Sequence, residues 1–177
     1  SEIYPLPVSG ISGAASSASA PEIKITLPGS DAMKLSVPVT GAAEGTVAVL
    51  LHSDGDEKII MTSMVQGNAL TITLNQSGTI KIIDNSKSFD DVSSGDWFDG
   101  AVDFASSREL FQGTGDGTFS PDEPMSRGML AAVLYRFAGT PDVSGTSPFS
   151  DVAQDRYYAD AVNWAAEKEI MAGTDNG

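Results

Sequence analysis

From Phe89 onward the chain is one unit written twice, because laying Phe149 over Phe89, an offset of 60 residues, aligns everything that follows without a gap. Asp91 and Val92 fall on Asp151 and Val152, Trp97 and Phe98 on Tyr157 and Tyr158, Ala101 and Val102 on Ala161 and Val162. Phe104 and Ala105 meet Trp164 and Ala165, Glu109 meets Glu169, Leu110 meets Ile170, and Gly113, Thr114 and Gly117 meet Gly173, Thr174 and Gly177. A duplication of this length constrains the fold more than any single motif, since each copy must bury its apolar face against a neighbour.

Within the unit the apolar period is that of helices. Trp97, Phe98, Ala101, Val102, Phe104 and Ala105 make one apolar face, with Asp96 or a nearby Ser as the cap. A loop rich in Gly, Asp and Pro runs over 112–124. Ser126 then stands at an N-cap position before Met129, Leu130, Val133, Leu134 and Phe137, and Gly139 and Pro141 end the run. The unit therefore reads helix, long loop, helix. Its second copy offers a helix over 157–171 whose apolar face needs cover, from the first copy or from a second molecule.

Upstream, the period is two. Strands are expected over 22–27, 34–39, 46–52, 57–62, 69–74 and 78–84, with turns at Ser53-Asp54-Gly55-Asp56, Gln66-Gly67-Asn68 and Asn75-Gln76-Ser77-Gly78. Ile23, Ile25 and Leu27, and again Leu70, Ile72 and Leu74, point inward; Lys24, Thr26, Thr71 and Thr73 point out. Six short strands make a small sandwich or barrel. Residues 9–21 are nearly all Ser, Gly and Ala, the composition of a linker, flexible unless it pairs as an edge strand. The fold class is thus α+β by segregated domains. The expected boundaries are a linker at 1–21, an all-β domain at 22–85, a first repeat at 89–145 and a second, cut short, at 149–177.

Composition removes several functions. A formal charge of -14, from 24 acidic and 10 basic residues, repels nucleic acid and anionic lipid. No cysteine is present, so there is no disulfide framework, thiolate nucleophile or sulfur-based zinc site. No apolar run is long enough to insert in a bilayer. A start without Met and a stop at Asp175-Asn176-Gly177 in mid-pattern read as a piece of a longer protein.

The duplicated unit resembles the surface-layer homology (SLH) module of bacterial envelope proteins. The resemblance rests on Phe89-Asp90-Asp91-Val92, Trp97, Ala101-Val102, Gly113, the run Gly115-Asp116-Gly117-Thr118-Phe119-Ser120-Pro121, and Met125-Ser126-Arg127, where the family reads Ile-Thr-Arg-Ala-Glu. It implies a surface protein of a Gram-positive bacterium of the Firmicutes, in which the β segment is an accessory domain. It implies noncovalent anchoring at the cell wall: SLH modules act in threes, and their grooves hold a secondary cell-wall polysaccharide that often carries pyruvate ketals. Carried over by position, Arg127 is the basic residue that pairs with the polymer's carboxylate. Trp97 is an aromatic by the groove, Asp91 the acid of the opening motif, and Gly117 a loop glycine that lets a sugar approach the backbone. The chain departs from the family at Gly128-Met129, where Ala-Glu would complete a capping box with Ser126. The incomplete second repeat is also a candidate for self-association.

Each residue has a plainer reading. Arg127 can pair with Asp122 or Glu123, Trp97 and Trp164 read as core, and Asp91 and Asp151 as caps of backbone N–H groups. Asp116, Asp122 and Glu123 miss the spacing of a calcium loop and read as a turn. His52 is the only imidazole and has no nucleophile motif near it, so no catalytic residue, metal or cofactor is assigned and the chain reads as a non-enzyme. A rival reading makes the β domain an adhesin-like module for an extracellular protein or glycan, with the repeats structural only.

Overall fold

A computed structural model describes residues 3–5, 11–12, 20–145 and 147–174. The chain divides into two compact units, residues 1–121 and 122–177, so the first repeat is shared between them.

Among the described residues the first unit holds nine strands and one helix. In one sheet β4 (Met33–Thr40) pairs antiparallel with β8 (Ala69–Leu74), which pairs with β7 (Met64–Gln66). On the other side of β4 lie β1 (Ile3–Pro5) and β2 (Ile11–Ser12), both parallel to it. The second sheet runs β3 (Ile23–Ile25), β9 (Gly78–Asp84), β5 (Thr46–Leu51) and β6 (Glu57–Ile59), antiparallel throughout. Neither path closes on itself, so the barrel alternative falls. Of the residues expected as linker, 3–5 and 11–12 pair with β4, and 1–2, 6–10 and 13–19 lie outside the described residues.

The period-two pattern places the core. Leu35, Val37 and Val39 of β4 and Leu70, Ile72 and Leu74 of β8 join Ile25, Ala48, Ile80 and Ile82 of the other sheet in one buried cluster. Cross-strand pairs such as Leu35 with Ile72 and Val37 with Leu70 hold the register. Two expectations fail on the outer faces. Thr71 is buried rather than solvent-facing, because β7 lies beside it and Gln66 Oε1 accepts from its hydroxyl (3.3 Å). The expected strand over 57–62 stops at Ile59; the chain then turns through Ile60 and Ser63 to cross from the second sheet to the first as β7.

Helix α1 (Asp99–Ser107) completes this unit. Asp96 does not cap it: its carboxylate accepts from Ser93 N–H (2.8 Å) in the preceding turn, and Phe98 occupies the N-cap without a side-chain bond. Trp97 and Phe98 therefore stand before the helix and not on its face.

The second unit is a helix pair. Helix α2 (Arg127–Phe137) begins at Ser126, whose Oγ accepts from Met129 N–H (3.2 Å) as expected of an N-cap. Where the family's acid would return the bond, Met129 Sδ sits 3.5 Å from Ser126 N, so a weak thioether acceptor replaces a carboxylate. Helix α3 (Ala159–Glu167) lays Ala161, Val162, Trp164 and Ala165 against Ala131 and Ala132 of α2, flanked by Leu134 and Tyr135. The cover that α3 needs comes from the helix before it.

The two copies fold alike. Val102 N–H donates to Phe98 O and Val162 N–H to Tyr158 O (both 2.9 Å); Leu110 N–H donates to Ala105 O (3.0 Å) and Ile170 N–H to Ala165 O (2.8 Å). Glu109 and Glu169 end the two helices in the same left-handed conformation, φ 57° and 56°.

Candidate surface-anchoring site

The four residues singled out in the sequence fall in three places. Asp91 and Gly117 belong to one loop cluster of the first unit. The Asp91 carboxylate accepts from Phe119 N–H (2.8 Å) and Ser120 N–H (2.7 Å), and these bonds, Phe119's foremost, hold its pKa below the usual Asp value. Ser120 is thereby kept at φ 60°, where a non-glycine residue is strained, and its hydroxyl meets Thr114 Oγ1 at 2.6 Å. Gly117, at φ +78°, accepts from Asp90 N–H (2.9 Å), and a Cβ there would lie 3.3 Å from Asp90 Oδ2. The run 114–118 is a tight turn, with Thr118 N–H donating to Gly115 O (3.0 Å).

Trp97 is 93% exposed and packs edge-on to Phe98, with centroids 5.5 Å apart at 78°. The core reading holds for Trp164, 7% exposed and 5.6 Å from the Tyr135 ring, and fails for Trp97. The second copy repeats the exposed arrangement: Tyr157 is 68% exposed and meets Tyr158 at 5.0 Å and 79°.

Arg127 lies in the second unit, at the first turn of α2. It lines an open pocket of about 280 Å³ with Phe149, Asp151, Tyr158, Gly173 and Thr174. The pocket therefore joins helix two of the first copy to the opening motif and loop of the second. Arg127 does not pair with Asp122 or Glu123; its Nη2 donates to Ala172 O, and among the described residues its other N–H groups have no partner. A guanidinium so placed presents donors to an anionic group, in a pocket also lined by Ser126, Tyr158 and Thr174.

Gly128 explains part of the departure from the family motif. A Cβ at that position would lie 2.9 to 3.1 Å from three atoms of the Tyr158 ring. The ring rests on the first turn of α2, and alanine would force it to shift.

Sequence reasoning passed over Arg108. It is fully buried, with its guanidinium 3.8 Å from the Phe104 ring centre. Nε donates to Ser63 O (2.8 Å), Nη2 to Thr46 O (3.3 Å), and Nη1 to Glu44 O (2.8 Å), Phe104 O (3.1 Å) and Ser107 Oγ (3.0 Å). The available signal was a break in the repeat, because Ser106-Ser107-Arg108 stands over Ala166-Glu167-Lys168 and only the first set is buried.

Among the described residues no helix is long and apolar enough to cross a membrane. The S-layer homology domain model matches residues 88–128 and 148–177. Over 107 residues, 60% of this chain, the sequence is 28% identical to endo-1,4-beta-xylanase A of Thermoanaerobacterium saccharolyticum, and this covers 9% of that protein. Over 111 residues it is 25% identical to the amylopullulanase of Thermoanaerobacterium thermosulfurigenes, 6% of that protein. Over 55 residues, 31% of this chain, it is 38% identical to an S-layer-related protein of Niallia circulans, covering 3% of it. The chain thus spans less than a tenth of the length of each relative. No solved structure matches.

Proposed function

We infer that this chain, which carries S-layer homology segments at 88–128 and 148–177 and is a protein of the bacterial cell surface, is a non-catalytic anchor that binds secondary cell-wall polysaccharide. The observation that carries this reading is the Arg127 pocket. Its guanidinium N–H groups without a partner among the described residues, together with Ser126, Thr174 and Tyr158 in the lining, suit a sugar bearing a carboxylate, such as a pyruvate ketal. Asp151 in the same wall tempers the positive field and limits binding to ligands that can also donate a hydroxyl proton. Asp91 and Gly117 act in this reading as builders of the loop and not as contacts, while Trp97 and Tyr157 offer ring faces outside the pocket. The β region at 22–85, whose first sheet is extended by β1 and β2, is the accessory part, with the repeats at 89–145 and 149–177.

The test is cosedimentation of the chain with purified cell-wall sacculi, intact or stripped of secondary polysaccharide. Binding to the intact sacculi alone is expected, with Arg127→Ala weakening it at least about tenfold. Equal binding to stripped sacculi, or full binding by Arg127→Ala, overturns the assignment.

A further inference from the structure

A repeat array needs different surfaces at its ends, because the first copy has no earlier copy to lean on. In the second copy the cover for α3 is α2, the helix that precedes it. The element that precedes α1 is the β region, and α1 is buried in a different place. Ser106, Ser107 and Arg108 at its C-terminal end are buried where Glu167 and Lys168 are exposed, whereas Ala101 is exposed where Ala161 is buried.

We propose that the β region is the N-terminal cap of the repeat array, bolted to α1 by Arg108 so that strands and helix open as one body. Arg108 draws on three carbonyls of the β region, those of Glu44, Thr46 and Ser63, and on Phe104 O and Ser107 Oγ of its own helix. Phe104 O is one of the carbonyls that a helix end leaves without an internal partner, so the side chain serves the helix and the sheet together. Burial holds the guanidinium pKa below its ordinary value, and the Glu44 and Asp103 carboxylates oppose this only in part. Asn85, just past β9, donates from Nδ2 to Ser107 O (2.5 Å) and adds a second stitch at the same helix end.

The loop 43–46 is shaped for this docking. A Cβ on Gly45 would fall 1.9 Å from Ser86 Oγ and 2.9 Å from Asp103 Oδ1, and Gly45 O accepts from Asn85 N–H (3.0 Å). Glycine is required here by close approach, since its φ is not in the left-handed region. Because the acceptors are fixed carbonyls and not a smooth apolar face, the dock specifies one orientation. The cap is independent of what the Arg127 pocket binds.

Native-state hydrogen exchange on the full chain tests this. In the wild type, the amides of α1 are expected to open together with those of β5 and β9, and separately from those of α3. Arg108→Met should speed exchange in α1 at least about tenfold while leaving α3 unchanged, since it removes the donors to the buried Ser63 and Thr46 carbonyls. Lys168→Met, at the matching exposed position, should change neither helix. Opening of α1 ahead of β5 and β9 in the wild type, or unchanged α1 exchange in Arg108→Met, overturns the proposal. The wild-type pattern decides alone where the variant does not fold.

Discussion

Helices α1 and α3 share a length, a set of turn bonds and a left-handed terminal glutamate, yet they are buried by different means. In α3 the apolar stripe meets alanines of α2, and packing of small and aromatic side chains provides the cover. In α1 a buried cation and a set of carbonyls take that role at one end of the helix. Local conformation is thus written in the repeated residues, while the mode of burial is written in the few that differ. Apolar packing tolerates sliding and exchange of neighbours; carbonyl coordination of a guanidinium does not.

The strongest way to break that comparison is to remove the two tryptophans, one buried and one exposed. Trp164→Ala should cost about 3–5 kcal/mol, the range for emptying a packed aromatic site, and should unfold the second unit first in a chemical denaturation curve. Trp97→Ala should stay within about 0.5 kcal/mol, since that ring is bare. Equal losses in the two variants would mean that Trp97 is covered in solution. A Trp97→Ala variant of unchanged stability that loses sacculus binding would identify the ring as a contact.

Next in size is Gly113→Ala. Gly113 has φ +76°, and a Cβ would come 2.3 Å from Thr118 O and 3.0 Å from the Phe89 ring. A loss of about 2–4 kcal/mol is expected, read from thermal melting, because the clash is with backbone and cannot be relieved by a rotamer change.

A smaller effect tests the second unit's own departure from the family. Gly128→Ala restores the family's alanine and should be neutral to destabilising by about 1 kcal/mol, as the Tyr158 ring opposes the gain in helix propensity. In a Tyr158→Ala background the same change should stabilise by about 1 kcal/mol. A double-mutant cycle with no coupling would show that the ring does not restrain position 128.

These residues also mark what was legible in the bare sequence. The strand alternation gave the inward residues of β3 and β8, and the duplication gave two helices of one design, because both rest on short periods in a single chain. Trp97 was misread because its spacing matches the apolar face of a helix that begins two residues later, at Asp99. Thr71 was misread because β7 lies in the opposite sheet from β6, a crossing that no local pattern announces. Arg108 was passed over because its acceptors lie up to 64 residues away and are main-chain carbonyls, which carry no side-chain signature. At the pocket, Arg127 was found by its motif. Its walls from the second copy were not, since sequence order does not reveal that helix two of one copy faces the opening of the next.

The finest distinction lies in two carboxylates of the first copy, Asp91 and Asp103, whose pKa values move in opposite directions. Asp91 is lowered by the N–H bonds of Phe119 and Ser120, so its contribution is present above the ordinary Asp value and is lost as the pH falls through its folded pKa. Asp103 is raised, first by burial, against the bond from Ser86 Oγ (3.4 Å), and then by Asp84 nearby. Its folded form holds the proton more tightly than the unfolded chain does, so its contribution is present below the ordinary Asp value and fades as the pH rises through the raised one. Asp103→Asn should therefore flatten the decline in first-unit stability on the alkaline side of that value, and Asp91→Asn the decline on the acid side. Both effects should be small, because each side chain retains contact with water. Melting curves of the two variants across that range separate the cases: slopes that change in the same sense would show that the seat of Asp103 beside Gly45 is open to solvent, and would weaken the case for a tight dock there.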